Sequence, residues 1–164
     1  MKSSDNLPLM AIILILMLSS CSSVEDMALR QPYLSRLSNT ECLNSKDIDS
    51  SQSRSENCKS SFEMVFDGNI AKCKFTSLEY PCDFGKLNVN VFYNEGVLAI
   101  VEYPSSDKAD CRCEINASFL IENMPQQDFI LKIYHGDTDG DFNPQAPKYN
   151  GKIALNDGII TIPY

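Results

Sequence analysis

The 164-residue sequence contains no tryptophan, a single histidine, and only 14 Lys and Arg residues against 22 Asp and Glu. Each shortage excludes something. Without tryptophan, an aromatic platform for a sugar has to come from Tyr or Phe. With His135 as the only histidine, any Ser-His-Asp or Cys-His site must use it. That residue ends an apolar run beside Asp137 and Asp139, which reads as a solvated histidine at a loop edge. The formal net charge is −8 and the cations are scattered, with no basic run. Nothing here would neutralise a row of nucleic-acid phosphates or grip an anionic membrane surface. Carboxylates are plentiful, but in so acidic a chain their number says nothing about catalytic spacing. No catalytic residues are expected, and the chain is read as a non-enzyme. Long apolar runs are also missing. A membrane-spanning helix needs about 20 residues, whereas Leu7 to Leu18 is twelve residues with one proline and no charge.

That run has a good length for the core of a secretory signal. Two small residues and a cysteine follow it, and the junction Leu18-Ser19-Ser20-Cys21 resembles the lipobox of bacterial lipoproteins. The resemblance implies that residues 1–20 form a signal peptide and that Cys21 becomes a lipid-modified (palmitate-bearing) N-terminus. Acyl chains contribute about 0.8 kcal/mol per buried methylene, so several on one cysteine anchor a protein without a transmembrane helix. Ser22, directly after the cysteine, looks like outer-membrane sorting. Glu25-Asp26 is similar to short acidic signals that carry some bacterial lipoproteins to the cell surface. The expected location is therefore the bacterial cell envelope, at the outer membrane on its periplasmic face or at the surface. An ordinary secreted chain and a retained membrane anchor are the alternatives.

Six further cysteines remain: Cys42, Cys58, Cys73, Cys82, Cys111 and Cys113. An even set in an exported chain reads as up to three disulfides, and lipidation accounts for the odd seventh. A Cys42–Cys58 bridge would close the serine-rich stretch Asn44 to Ser55, whose single apolar residue cannot bury a face. In Asp110-Cys111-Arg112-Cys113, neighbours two apart share one face of a strand, and a bond between them would close a strained ring. They are expected to bridge to two different partners, as Cys82–Cys111 and Cys73–Cys113 or with the pairing swapped. Four thiolates holding zinc, or free redox-active thiols, are the alternatives.

Residues 21–61 read as a polar tether and serine-rich loop, with a short helical turn over Leu29 to Leu37 limited by Pro32. From residue 62 to 164 the pattern changes to short apolar runs with turn signals every eight to twelve residues. The runs are Phe62–Phe66, Ile70–Phe75, Lys86–Tyr93, Val97–Tyr103, Glu114–Ile121, Phe129–Tyr134, Lys152–Leu155 and Ile159–Ile162. The expected fold is all-β: an antiparallel β-sandwich of about seven to eight strands, stapled by disulfides, behind a flexible N-terminal tether. Asn94-Glu95-Gly96 and Asn156-Asp157-Gly158 mark two hairpins, each with a glycine where positive φ is needed. Leu87, Val89, Val91 and Tyr93 share a buried face. So do Phe129, Leu131 and Ile133, while Val97 to Val101 is apolar on both faces and should be central.

Several of these segments together suggest a family. Tyr80-Pro81-Cys82, Leu87-Asn88-Val89-Asn90-Val91, Val97 to Glu102, the Cys-x-Cys strand, and Asp128-Phe129-Ile130-Leu131-Lys132-Ile133 resemble a group of small bacterial envelope lipoproteins with all-β domains. The likeness runs from Tyr80 to Tyr134. It implies a fold and an envelope location; members have no assigned activity, so no catalytic residue carries over.

One loop invites a metal. Asp137-Thr138-Asp139-Gly140-Asp141-Phe142-Asn143 places oxygens of Asp137, Asp139, Asp141 and Asn143 at alternate positions around a glycine, as calcium prefers. It resembles the loops of extracellular calcium repeats. It departs from an EF-hand, where Phe142 would have to be glycine and Lys148 glutamate. The plain alternative is an acidic loop turned by Gly136 and Gly140 and stiffened by Pro144 and Pro147. Calcium is thus the only cofactor suggested. Asn116-Ala117-Ser118 matches a glycosylation acceptor inside an expected strand. The expected function is that of a lipid-anchored envelope protein with a binding or structural role, its partners being the membrane through the lipid and a protein or glycan ligand. A secreted disulfide-rich ligand or inhibitor, or a calcium-dependent surface-binding module, is the alternative.

Overall fold

The computed structural model describes residues 31–46, 60–155 and 158–163. These form ten strands: β1 (Tyr33–Asn39), β2 (Asn44–Lys46), β3 (Ser61–Asp67), β4 (Ile70–Pro81), β5 (Leu87–Asn94), β6 (Val97–Pro104), β7 (Arg112–Glu122), β8 (Phe129–His135), β9 (Tyr149–Ile153) and β10 (Ile159–Pro163). One sheet runs β1-β7-β4-β3-β10, with β2 also on β7; the other runs β5-β6-β8-β9. Their inner faces share one apolar core, led by Phe62, Phe75, Phe119, Leu98, Ile100, Leu131 and Ile133. All eight expected runs are strands of this all-β sandwich. β6 lies between β5 and β8, as its two apolar faces required.

Four features depart from expectation, and each has a physical reason. The first is the start of the sheet. Leu34 and Leu37 are three apart, which suggests one side of a helix, yet both pack against the core from strand β1. The register of β1 on β7 shifts between Ser35 and Ser38, and Arg36 stands at φ 53°. This bulge inserts a residue, so two leucines that a regular strand would point to opposite faces both reach the core. Residues 33–39 and 44–46, expected in the tether, therefore belong to the sheet.

β4 repeats the device. Its alternation Ala71, Cys73, Phe75 breaks after Phe75, where the expected run ended. The register shifts between Phe75 and Leu78, Ser77 stands at φ 55°, and Leu78 and Tyr80 are again buried. Asn116 supports the bulge: its Oδ1 accepts the Ser77 amide at 2.9 Å. Ser60 Oγ donates to the Ser77 carbonyl at 2.7 Å. The glycosylation-like asparagine is thus a half-buried structural group in mid-strand.

The third departure is topological. The β5–β6 hairpin is present, with Asn94 opposite Val97 and both loop residues at positive φ, Glu95 at 48° and Gly96 at 78°, as a type I′ turn needs. The last two strands form no hairpin: β9 pairs β8 and β10 pairs β3, in different sheets. Nor is the second sheet wholly antiparallel. β6 and β8 are parallel, because β7, which separates them in sequence, lies in the opposite sheet and returns the chain to the end where β6 began.

The fourth concerns the disulfides. Cys82 bonds Cys111, as expected, with Cα atoms 5.5 Å apart. Cys113, however, bonds Cys42 across a 5.4 Å Cα separation, and so neither Cys42–Cys58 nor Cys73–Cys113 forms. The ladder explains this. Cys73 lies opposite Phe119 and Tyr80 opposite Cys113. The six residues from 113 to 119 put Cys73 roughly 20 Å from Cys113, far beyond bridging distance. Meanwhile Thr40 and Leu43 donate amides to Asn116 and Glu114, laying Cys42 along β7. Cys73 is a free, buried thiol, and Cys58 lies outside the described residues, as does Cys21.

Candidate functional site

Three inner-face stripes run out of the core at one end of the sandwich, and there they turn polar. On β6 the series Leu98, Ile100 continues to Glu102; on β8 Leu131, Ile133 continues to His135; on β4 Leu78 continues to Tyr80. Glu102 and His135 are direct neighbours in the parallel ladder. His135 Nδ1 lies 2.8 Å from Glu102 Oε1. The carboxylate is 1% exposed and the imidazole 45%, so the charge of Glu102 is buried and its histidine caps it. Tyr80, 1% exposed, backs the imidazole with ring centroids 5.5 Å apart and stacks on Phe84 on another side. Its hydroxyl is buried with no hydrogen-bond partner among the described residues.

The hydrogen bond that His135 donates to Glu102 holds the His135 pKa above the ordinary histidine value of 6.5. Burial, Lys148 and Arg112 oppose the rise, and the negative charge of Glu102 adds to it. With Nδ1 committed to Glu102, Nε2 is the ring nitrogen left for a ligand.

A cleft of about 350 Å³ opens beside this pair, lined by Glu79, Pro81, Pro104, Asp107, Arg112 and Asp137 together with Tyr80, His135 and Gly136. A second recess of about 240 Å³ shares Glu79, Tyr80 and His135 and adds Ser60, Glu102 and Lys148. The bulge at Ser77 makes this wall: without the extra residue, Glu79 would face inward and Tyr80 outward.

The walls are fastened. Cys113 stands opposite Tyr80 and Arg112 opposite Pro81, so the Cys42–Cys113 and Cys82–Cys111 bonds flank the cleft. The loop carrying Asp107 is tied to Asp83, whose carboxylate accepts the Ala109 amide and the Ser106 hydroxyl at 2.9 Å each. The Ala109 amide bond is the main reason the Asp83 carboxyl is held below the usual carboxylate range. Gly136 is needed at the rim because a Cβ there would lie 3.1 Å from Val101 Cγ1 and 3.2 Å from Tyr103 Cβ.

The Asp137–Asn143 loop follows directly. Asp137 Oδ1 accepts the amides of Asp139 and Asp141 at 3.0 and 2.9 Å, and Asn143 Oδ1 accepts that of Gln145. Phe142 fastens the loop to the outer face of the second sheet, stacking 4.6 Å from Tyr134. Among the described residues no three His, Cys, Asp or Glu side chains converge as a shared metal would need. Asp137 and Asn143 thus serve as turn caps, and Asp137 also lines the cleft.

Sequence reading treated His135 as an isolated loop-edge residue and passed over Glu102. One signal was available: Glu102 is the lone charge in the otherwise apolar strand Val97–Pro104, and a carboxylate there has to find a partner. Cys73 is not a candidate nucleophile, since burial pushes its thiol pKa well up and the thiolate is the reactive form. No protein-family model, curated protein or solved structure matches the chain.

Proposed function

We propose that the chain is a lipid-anchored protein of the bacterial cell envelope, attached through Cys21 at the outer membrane, with a binding or structural role and no catalytic one. The observation that carries this reading is the Leu18-Ser19-Ser20-Cys21 junction after a short uncharged apolar run. The two disulfides support it, because such bonds persist in oxidising compartments outside the cytosol. The cleft supports a binding role, being polar, concave and held rigid by covalent staples. Among the described residues His135 makes one side-chain hydrogen bond, to Glu102, so no serine or cysteine stands against its ring as a nucleophile would. The partners are then the membrane, through the lipid, and a protein or glycan met by the cleft; the net charge of −8 disfavours nucleic acid. Replacing Cys21 with serine in a bacterial host tests the anchor. The wild-type chain is expected in the membrane fraction and the variant in the soluble fraction; a variant that stays with the membranes would refute the reading.

A further inference from the structure

We propose that the cleft at His135 is a site for a neutral, polyhydroxylated ligand, a short stretch of glycan. The inference deepens the binding role proposed above and rests on it. The charge balance of the lining decides the ligand class. Arg112 and His135 offer donors, while Glu79, Asp107 and Asp137 offer acceptors, and all five line the same cleft of about 350 Å³. A ligand of one charge sign would meet repulsion from part of that set. Sugar hydroxyls donate and accept at once, and so can use both kinds of group. Arg112 is exposed and makes no ion pair among the described residues, although three carboxylates share its cleft, which leaves its fork of donors free for a ligand.

The apolar part of the lining fits the same class. Pro81 and Pro104, both buried, are the aliphatic residues of that lining. The platform that a chain without tryptophan must supply otherwise is the half-exposed imidazole of His135, backed by the Tyr80 ring at 5.5 Å. The Tyr80 hydroxyl, buried with its hydrogen-bonding capacity unmet among the described residues, marks this wall as one where a polar group has a use.

His135 is the only histidine, so its imidazole proton signal in NMR is unambiguous and reports on the cleft directly. The full mature chain in detergent is titrated at constant pH with three neutral trisaccharides, N-acetylated chitotriose, cellotriose and maltotriose. Inorganic phosphate and a lysine-rich peptide serve as the anionic and cationic probes. At least one trisaccharide is expected to move the His135 signal saturably, with affinity weakened about tenfold or more in Arg112→Ala and in Asp107→Asn. Both residues are exposed; if Arg112→Ala lowers the melting temperature, Asp107→Asn decides alone. A signal that moves with phosphate or the peptide but with no trisaccharide, or with no probe at all, overturns the proposal, as does a trisaccharide response unchanged in Asp107→Asn. None of these failures touches the membrane-release result for Cys21→Ser, so loss of the glycan inference and loss of the envelope reading are distinguishable.

Discussion

The Glu102–His135 pair should make the stability of this protein fall as pH rises through neutrality, against the common trend. Glu102 is buried to 1% exposure and its carboxylate meets His135 Nδ1 at 2.8 Å. The folded state holds the His135 pKa above 6.5, chiefly through that hydrogen bond. A group whose folded pKa is raised contributes stability that is fully present below its unfolded pKa. That contribution is lost as pH climbs through the folded value. The window therefore opens near pH 6.5 and closes above the folded pKa. Removing the ring with His135→Ala takes this hydrogen bond from a buried carboxylate. Breaking a fully buried pair costs about 3–5 kcal/mol, but His135 is nearly half exposed and water screens part of this, which reduces the expected cost to about 1–3 kcal/mol. Urea unfolding at about pH 5.5, 6.5 and 7.5 measures both effects. His135 is the only histidine, and the exposed carboxyls with lowered values, Asp67, Asp83, Glu122 and Asp128, titrate well below this range. The wild-type stability should decline across the series, and His135→Ala should start lower and lack the imidazole's share of that decline. A flat wild-type profile, or the same slope in the variant, would sink the argument.

Three further outcomes follow from the framework. Asn116→Ala removes the acceptor for the Ser77 amide at the bulge and should cost about 1–3 kcal/mol in denaturant unfolding; a neutral result would mean the bulge holds without it. Glu95→Asn places a residue tolerant of left-handed backbone at φ 48° beside Gly96 and should stabilise by about 0.5–1 kcal/mol, read as a higher urea midpoint, whereas a loss would contradict the type I′ assignment. Replacing Cys82 and Cys111 together by alanine opens the bond across a sequence separation of 29 and should cost about 2–4 kcal/mol. The same double variant should broaden the His135 NMR signal as the cleft wall loosens, and an unchanged signal would argue against the staple's role there.

The strands were legible in the chain because period-two alternation is local, and every expected run lies within or overlaps a strand. What stayed hidden was wherever one extra residue breaks that period. Leu34 and Leu37 mimic a helix, and Phe75 and Leu78 look like the end of a strand, because a bulge has no residue signature of its own beyond a polar residue able to take positive φ. Disulfide partners were half legible. Cys111 and Cys113 had to diverge, which is an argument from spacing, whereas the choice of Cys42 over Cys73 depends on strand order and register between distant segments. The site was the least legible part. His135 and Glu102 are 33 residues apart, and only the parallel pairing of β6 and β8, created by β7 leaving for the other sheet, sets them side by side.

The most direct test of the account is the mass of the mature protein from bacterial membranes, intact and after digestion, with and without reductant. The account predicts an N-terminus at Cys21 carrying acyl chains, together with unreduced peptides joining Cys42 to Cys113 and Cys82 to Cys111. An unmodified Cys21, a mature chain beginning elsewhere, or four freely alkylated thiols at those bridge positions without reduction would contradict it.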